Sequence, residues 1–161
     1  MGHVAPGEAT GERTFRLLVA DDIPEIGELF TDLLERLRGF DVQLTTEADS
    51  RAALELARTR PFDVVVSDFR MGEVDGVEVL RAARLANPSG RRVLMTGYQE
   101  IPAPMSRIRE ANVDAYLQKP LRGRDLLVLL GDLLRADPDV LEACRREARR
   151  VEAMGLREEA G

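Results

Sequence analysis

Val64-Val65-Val66-Ser67-Asp68-Phe69-Arg70-Met71-Gly72-Glu73-Val74-Asp75-Gly76-Val77 passes from a block of β-branched residues to a carboxylate, crosses a short loop, and reaches an aspartate able to cap a helix. Three consecutive valines with no polar alternation suit a strand buried on both faces, as in a parallel sheet. From Val77 to Ala86 the apolar residues recur at helical spacing. In an open sheet of this kind, functional groups gather beyond the carboxyl ends of the strands, which is where Asp68 falls.

The same alternation continues on both sides. Strand-length apolar runs occur at Leu17 to Ala20, Val42 to Thr45, Val64 to Val66, Val93 to Met95 and Ala115 to Leu117. Helical periods separate them at Ile26 to Leu37, Arg51 to Ala57, Val77 to Ala86, a short piece around Met105 to Ala111, and Asp125 to Leu134. Five strands alternating with five helices predict right-handed crossovers and a mainly parallel sheet covered on both faces. Asp49 and Asp75 are expected to cap helices, Gly39 to follow the first, and Asn87-Pro88-Ser89-Gly90 to stop the third. Pro102 and Pro104 delay the fourth helix and keep it short.

Residues 1–14 are rich in glycine and small or charged residues and read as a flexible leader, with the domain covering 15–136. Asp137-Pro138-Asp139 then supplies a cap, a first-turn proline and a favourable acid for a further helix. In residues 137–161, Leu141, Cys144, Ala148 and Val151 form one narrow apolar stripe, suited to packing on the domain, on a partner or on a second copy as a homodimer. These 25 residues are too few for a separate output domain with its own core.

Composition narrows the functions. The chain has 161 residues, 44% of them apolar, and a formal net charge of −6, which disfavours general attraction to nucleic acid or anionic membrane. No stretch is apolar for long enough to cross a bilayer, and the amino end lacks the pattern of an export signal, so a cytoplasmic protein is expected. One cysteine, Cys144, excludes an internal disulfide, and one histidine, His3, near the amino end, excludes a histidine metal cluster. The arginine doublets Arg145-Arg146 and Arg149-Arg150 alternate with glutamates and read as a solvated helix face. Of 23 basic residues only Lys119 is lysine, a compact mobile charge in a chain that otherwise uses arginine.

Strand ends carry the chemistry. Asp21 and Asp22 end the first strand, Asp68 the third, Thr96 the fourth and Lys119 the fifth, so three carboxylates, a hydroxyl and an ammonium are expected in one cleft. Carboxylates so close must raise a pKa or recruit a divalent cation, and an all-oxygen donor set selects magnesium.

Taken in order, Asp21-Asp22, Asp68-Phe69-Arg70-Met71 with Asp75-Gly76, Thr96-Gly97 and Tyr116-Leu117-Gln118-Lys119-Pro120 resemble the receiver domain of the two-component response regulators, over roughly Phe15 to Arg135. The resemblance implies a flavodoxin-like, doubly wound five-stranded parallel sheet in the order 2-1-3-4-5, with five helices and here an extra C-terminal one. It makes Asp68 the phosphoacceptor, taking a phosphoryl group from a sensor histidine kinase or phosphotransfer protein as an acyl phosphate. Asp22, Asp68 and the Arg70 carbonyl would hold Mg2+, with Asp21 acting through a bound water. Thr96 and Lys119 would bind phosphoryl oxygens. Thr96 and Tyr116 would form a switch altering the surface made by the fourth helix, fifth strand and fifth helix for a downstream protein. The Lys119-Pro120 peptide resembles the family's cis bond.

Two departures stand out. Gly72 occupies a position where the family usually has proline, which implies a less rigid loop. Arg70 and Tyr98, at the positions that modulate phosphoryl lifetime, are both bulky and lead to an expectation of slow self-dephosphorylation; a half-life of seconds would count against it. The expected protein is thus a non-enzymatic, stand-alone phosphoacceptor module that binds no nucleic acid. A phosphohydrolase with an aspartate nucleophile would want a second aspartate where Arg70 stands. An interaction domain that is never phosphorylated would have no use for the full set of Asp21, Asp22, Asp68, Thr96 and Lys119.

Overall fold

The computed structural model describes residues 14–36, 41–97, 105–133, 145–150 and 153. Five strands, β1 (Thr14–Ala20), β2 (Asp41–Glu47), β3 (Val64–Asp68), β4 (Arg91–Thr96) and β5 (Ala115–Gln118), alternate with five helices. The helices are α1 (Pro24–Glu35), α2 (Ser50–Thr59), α3 (Gly76–Ala86), α4 (Met105–Ala111) and α5 (Gly123–Leu133). All strand pairs are parallel, in the order β2-β1-β3-β4-β5. Residues 145–150 are also helical. The doubly wound sheet implied by the sequence is the one observed.

Burial explains the sheet. Every residue of β3 is buried, as its unbroken valines require, and it lies at the centre between β1 and β4. At the edge, β2 alternates exposed and half-buried side chains. Its charged ends, Asp41 and Glu47, carry no strand signal of their own. The ladder with β1 extends the strand to seven residues nonetheless, pairing Thr14 with Asp41 and Ala20 with Glu47.

Each face of the sheet has its own core. On one, Ile26, Phe30 and Leu33 of α1 meet Leu126, Leu127 and Leu130 of α5 over Leu17, Val19, Val66 and Met95. On the other, Ala53 and Ala57 of α2, Val79, Leu80 and Ala83 of α3 and Ala111 of α4 cover Leu18, Val65 and Leu94. Ala148, 2% exposed, belongs to the first core, and Arg145 reaches Asp132 of α5 at 3.7 Å. The helical residues 145–150 therefore pack back on the α1/α5 face. Of the apolar stripe read from the sequence, Leu141, Cys144 and Val151 lie outside the described residues, as do Gly39 and Asp137-Pro138-Asp139.

Helix starts follow their caps. Asp49 accepts the Ala52 N–H at 2.8 Å and Asp75 the Glu78 N–H at 3.0 Å, so α2 and α3 begin where their aspartates place them. Helix α1 instead begins on Pro24 with Glu25 in its first turn and no side-chain cap.

Candidate functional site

β1 and β3 are neighbours whose connections leave in opposite directions along the sheet, which opens a crevice at their carboxyl ends. Asp21 and Asp22 follow the last residue of β1, and Asp68 is the last residue of β3. Asp21, Asp22 and Asp68 each offer a carboxylate oxygen, and these oxygens lie within 4.8 Å of one another. Asp21 and Asp68 are buried and Asp22 is exposed, so the cluster opens to solvent on one side.

From the end of β5, Lys119 reaches into this cluster. Its Nζ stands 2.8 Å from Asp21 Oδ2 and 3.2 Å from Asp68 Oδ1. The Lys119 N–H donates to the Thr96 carbonyl at 2.8 Å, which fixes the end of β5 against the end of β4. Thr96 is the residue after Met95, which pairs with Asp68 in the ladder, so it stands at the rim of the same cleft. The Lys119-Pro120 peptide is cis.

Burial and charge oppose each other here. Burial pushes the Asp21 carboxyl above its usual range, against the nearby Lys119 ammonium and the Ile23 N–H, which donates to Oδ1 at 2.9 Å. Burial pulls Lys119 down, but Asp21 and Asp68 outweigh it and hold the ammonium above its ordinary value. The ion pair thus favours the charged form of both groups, and only on Asp21 does burial outweigh it. The 2.8 Å separation settles the sign for the pair as attraction, and the asymmetry follows from Asp21 being more enclosed, with its side chain 1% exposed against 8% for Lys119.

The donor set suits a divalent cation. Asp21 Oδ2 is buried and accepts no hydrogen bond of good geometry, although the ammonium is close by. Three carboxylates and one ammonium leave two formal negative charges, which a hard dication ligated by oxygen would balance.

The loop between β3 and α3 closes the cleft from the side. The Gly76 N–H donates to the Phe69 carbonyl at 2.8 Å, and a Cβ at Gly76 would stand 2.1 Å from the Asp68 carbonyl oxygen. Only glycine fits, so the Asp75-Gly76 step follows from the close passage of α3 behind the Asp68 backbone. Gly72 has φ +67°, a conformation closed to proline, so its presence reflects a different turn and not merely a missing ring. The loop is tied to α2, because Ser50 Oγ accepts the Val74 N–H at 3.3 Å and Arg51 pairs with Glu73.

Arg70 is exposed, and its guanidinium lies 5.9 Å from the centre of the Phe69 ring. With Asp22, Phe69, Met71, Gly72 and Asp75 it lines a cavity of about 510 Å³ at the mouth of the cleft. Tyr116 is 51% exposed on β5. Tyr98 lies outside the described residues. The sequence reading missed one partner: Asp75, expected only to cap α3, also receives a two-pronged contact from Arg107 of α4, at 2.9 and 3.0 Å. No local signal joins residues 32 apart.

A doubly wound sheet whose switch point holds three aspartates against a lysine has the architecture and residue set of a receiver domain. The family model of the response regulator receiver domain matches residues 17–130, and the chain belongs to that family. It is 34% identical over 125 residues to the transcriptional regulatory protein ZraR of Klebsiella oxytoca, covering 78% of this chain and 27% of that protein. It is 31% identical over 129 residues to the acid tolerance regulatory protein ActR of Sinorhizobium medicae, covering 80% of this chain and 63% of that protein. The match thus spans between about a quarter and just under two thirds of these relatives' lengths.

Solved structures agree. The signal receiver domain of an HD domain-containing protein from Pseudomonas fluorescens Pf-5 has a TM-score of 0.66 at 28% identity, over 76% of this chain and 96% of that one. A CheY-like response regulator receiver domain protein from Methanospirillum hungatei has 0.62 at 26%, over 76% and 95%. Receiver domains are phosphoacceptor signalling domains that generally bind Mg2+ through an acidic pocket. Among the described residues no helix is long and apolar enough to cross a membrane.

Proposed function

We propose that this receiver accepts a phosphoryl group on Asp68 from a histidine kinase or phosphotransfer protein and signals through phosphorylation-dependent contacts of its own surface with a downstream protein. The observation that carries the reading is the ammonium of Lys119 suspended between Asp21 and Asp68 at the sheet's switch point.

Asp68 is the nucleophile. One of its carboxylate oxygens attacks the phosphorus of a phosphohistidine; the phosphorus–nitrogen bond breaks, the imidazole leaves with the electron pair, and an acyl phosphate forms. Little proton transfer is needed, so the work of the site is positioning and charge stabilisation. Asp22, Asp68 and the Arg70 carbonyl would hold Mg2+, with Asp21 behind them. The bound ion would supply charge neutralisation for the incoming phosphoryl oxygens. Lys119 is available to move from Asp21 and Asp68 to a phosphoryl oxygen, and its raised pKa keeps it charged for that purpose. Thr96, at the end of β4, is placed to take a second oxygen and Gly97 offers its amide beside it. Arg70 and Tyr98 are assigned to the control of phosphoryl lifetime.

The outward Tyr116 and the half-buried Thr96 belong to the resting form of a switch in which both turn inward on phosphorylation. Incubation with a small phosphodonor or with beryllofluoride in magnesium tests the reading. Labelling of wild type and none of Asp68→Asn supports it; equal labelling, or none of either, overturns it.

A further inference from the structure

The contact between Asp75 and Arg107 joins the loop behind Asp68 to α4, the helix that lies between the two residues of the proposed switch. Asp75 lines the same opening as Asp22 and Arg70 and closes the loop that starts at the nucleophile. One of its oxygens, Oδ1, accepts the Glu78 N–H that starts α3, so the carboxylate is fixed on the site side. Arg107 belongs to α4, which lies in the chain between Thr96 and Tyr116.

Helix α4 has seven residues, too few to be stable alone, so tertiary anchors determine where it sits. Ile108 is buried, Ala111 packs in the α2/α3 core, and Arg84 of α3 donates to the Glu110 carbonyl at 2.7 Å near the far end of α4. At the near end the guanidinium fork of Arg107 holds Asp75, Nη1 to Oδ2 at 2.9 Å and Nη2 to Oδ1 at 3.0 Å. Such a two-pronged contact is directional and is lost when the helix turns or slides by a fraction of a turn.

We propose that the Arg107–Asp75 fork is a latch that holds α4 in the resting arrangement and so sets how much phosphoryl-group binding is needed to switch the domain. This rests on the reading of Asp68 as the phosphoacceptor. The fork favours the state with Tyr116 outward, and a ligand at Asp68 works against it; by linkage, weakening the latch tightens binding at Asp68. Arg107 is a positioning residue in this scheme and touches no phosphoryl oxygen.

The test titrates the full chain with beryllofluoride in excess magnesium and follows amide resonances of β4, α4 and β5. Arg107→Gln and Asp75→Asn each lower the half-saturating beryllofluoride concentration by about three- to five-fold, the scale of a partly exposed ion pair. Asn keeps an acceptor for the α3 cap, so the second variant leaves the loop's own support in place. The double variant shifts the curve no further than either single one, because both break one contact. Arg107→Lys, which keeps the charge but not the fork, falls between wild type and Arg107→Gln.

Unchanged or raised half-saturation in the single variants, or singles that add, overturns the latch while a normal wild-type response leaves the Asp68 reading standing. A wild type that gives no response that Asp68→Asn lacks overturns both.

Discussion

Lys119→Met keeps an unbranched side chain in a site where Lys119 is 7% exposed, but deletes an ammonium 2.8 Å from Asp21 and 3.2 Å from Asp68. At an effective dielectric constant of about 20, each of those contacts is a gross attraction of roughly 5–6 kcal/mol. Most of that offsets the cost of burying the charges. Removing one member of a buried set nevertheless costs about 3–5 kcal/mol, because the carboxylates left behind lose their counter-charge without regaining water. We expect a loss of about 3 kcal/mol of unfolding free energy at neutral pH in the presence of a chelator, toward the low end because Asp22 keeps the cluster open to solvent. Three carboxylates without the lysine attract a dication more strongly than three with it. Excess magnesium is therefore expected to stabilise the variant more than wild type and to narrow the gap by at least about half. Urea unfolding of both proteins, with chelator and with magnesium, measures all four values. A loss below about 1 kcal/mol in chelator, as for an exposed pair, would refute the reasoning, as would a gap that widens with magnesium.

At Gly76, substitution by alanine puts a Cβ 2.1 Å from the Asp68 carbonyl oxygen, so the loop or α3 must shift. The expected cost is about 1–3 kcal/mol in urea unfolding, with impaired phosphorylation in the fraction that folds; wild-type values of both would contradict the packing described. The Arg107 fork and the α3 amides hold Asp75 below the usual carboxylate range despite its partial burial. An acid with a depressed folded pKa contributes stability that is present above its ordinary value of 3.8 and is lost as pH falls through the folded value. Asp75→Asn is therefore expected to be about 0.5–1 kcal/mol less stable than wild type at pH near neutral, discounted for the pair's exposure, with the difference fading under acid. A difference that grows under acid would reverse the sign and the assignment. Deletion of residues 137–161 removes Ala148 from the α1/α5 core and Arg145 from Asp132, and is expected to lower stability by about 1–2 kcal/mol without changing the number of copies that associate in solution. A halved mass would show that the segment joins two copies.

How far the sequence could be read depended on the range of the interaction. The valines of β3 and the aspartates that cap α2 and α3 act within a turn or a strand, so their elements were visible directly. Asp21, Asp22, Asp68, Thr96 and Lys119 were legible as a set because parallel strands bring all their carboxyl ends to one edge, which turns position in the chain into position in space. β2 was under-read, because Asp41 and Glu47 are strand residues only by virtue of their pairing with Thr14 and Ala20. Gly72 was read as a missing proline, whereas its positive φ marks a different turn. Lys119 was assigned to the phosphoryl group on Asp68; Asp21 is its nearer partner in this structure, a preference of 2.8 over 3.2 Å that no spacing rule contains. The Arg107–Asp75 fork depends on where α4 docks, and nothing local to either residue announces it.

The claim at the centre is that Asp68 is a nucleophile held ready by Lys119. The most direct measurement is the intact mass of the full chain after exposure to a small phosphodonor in magnesium, with the modified residue located by peptide mapping after trapping the acyl phosphate. We expect one phosphoryl group, on Asp68, absent from Asp68→Asn and abolished by chelation of magnesium. Modification at another residue, or an Asp68→Asn variant labelled as fully as wild type, would contradict it.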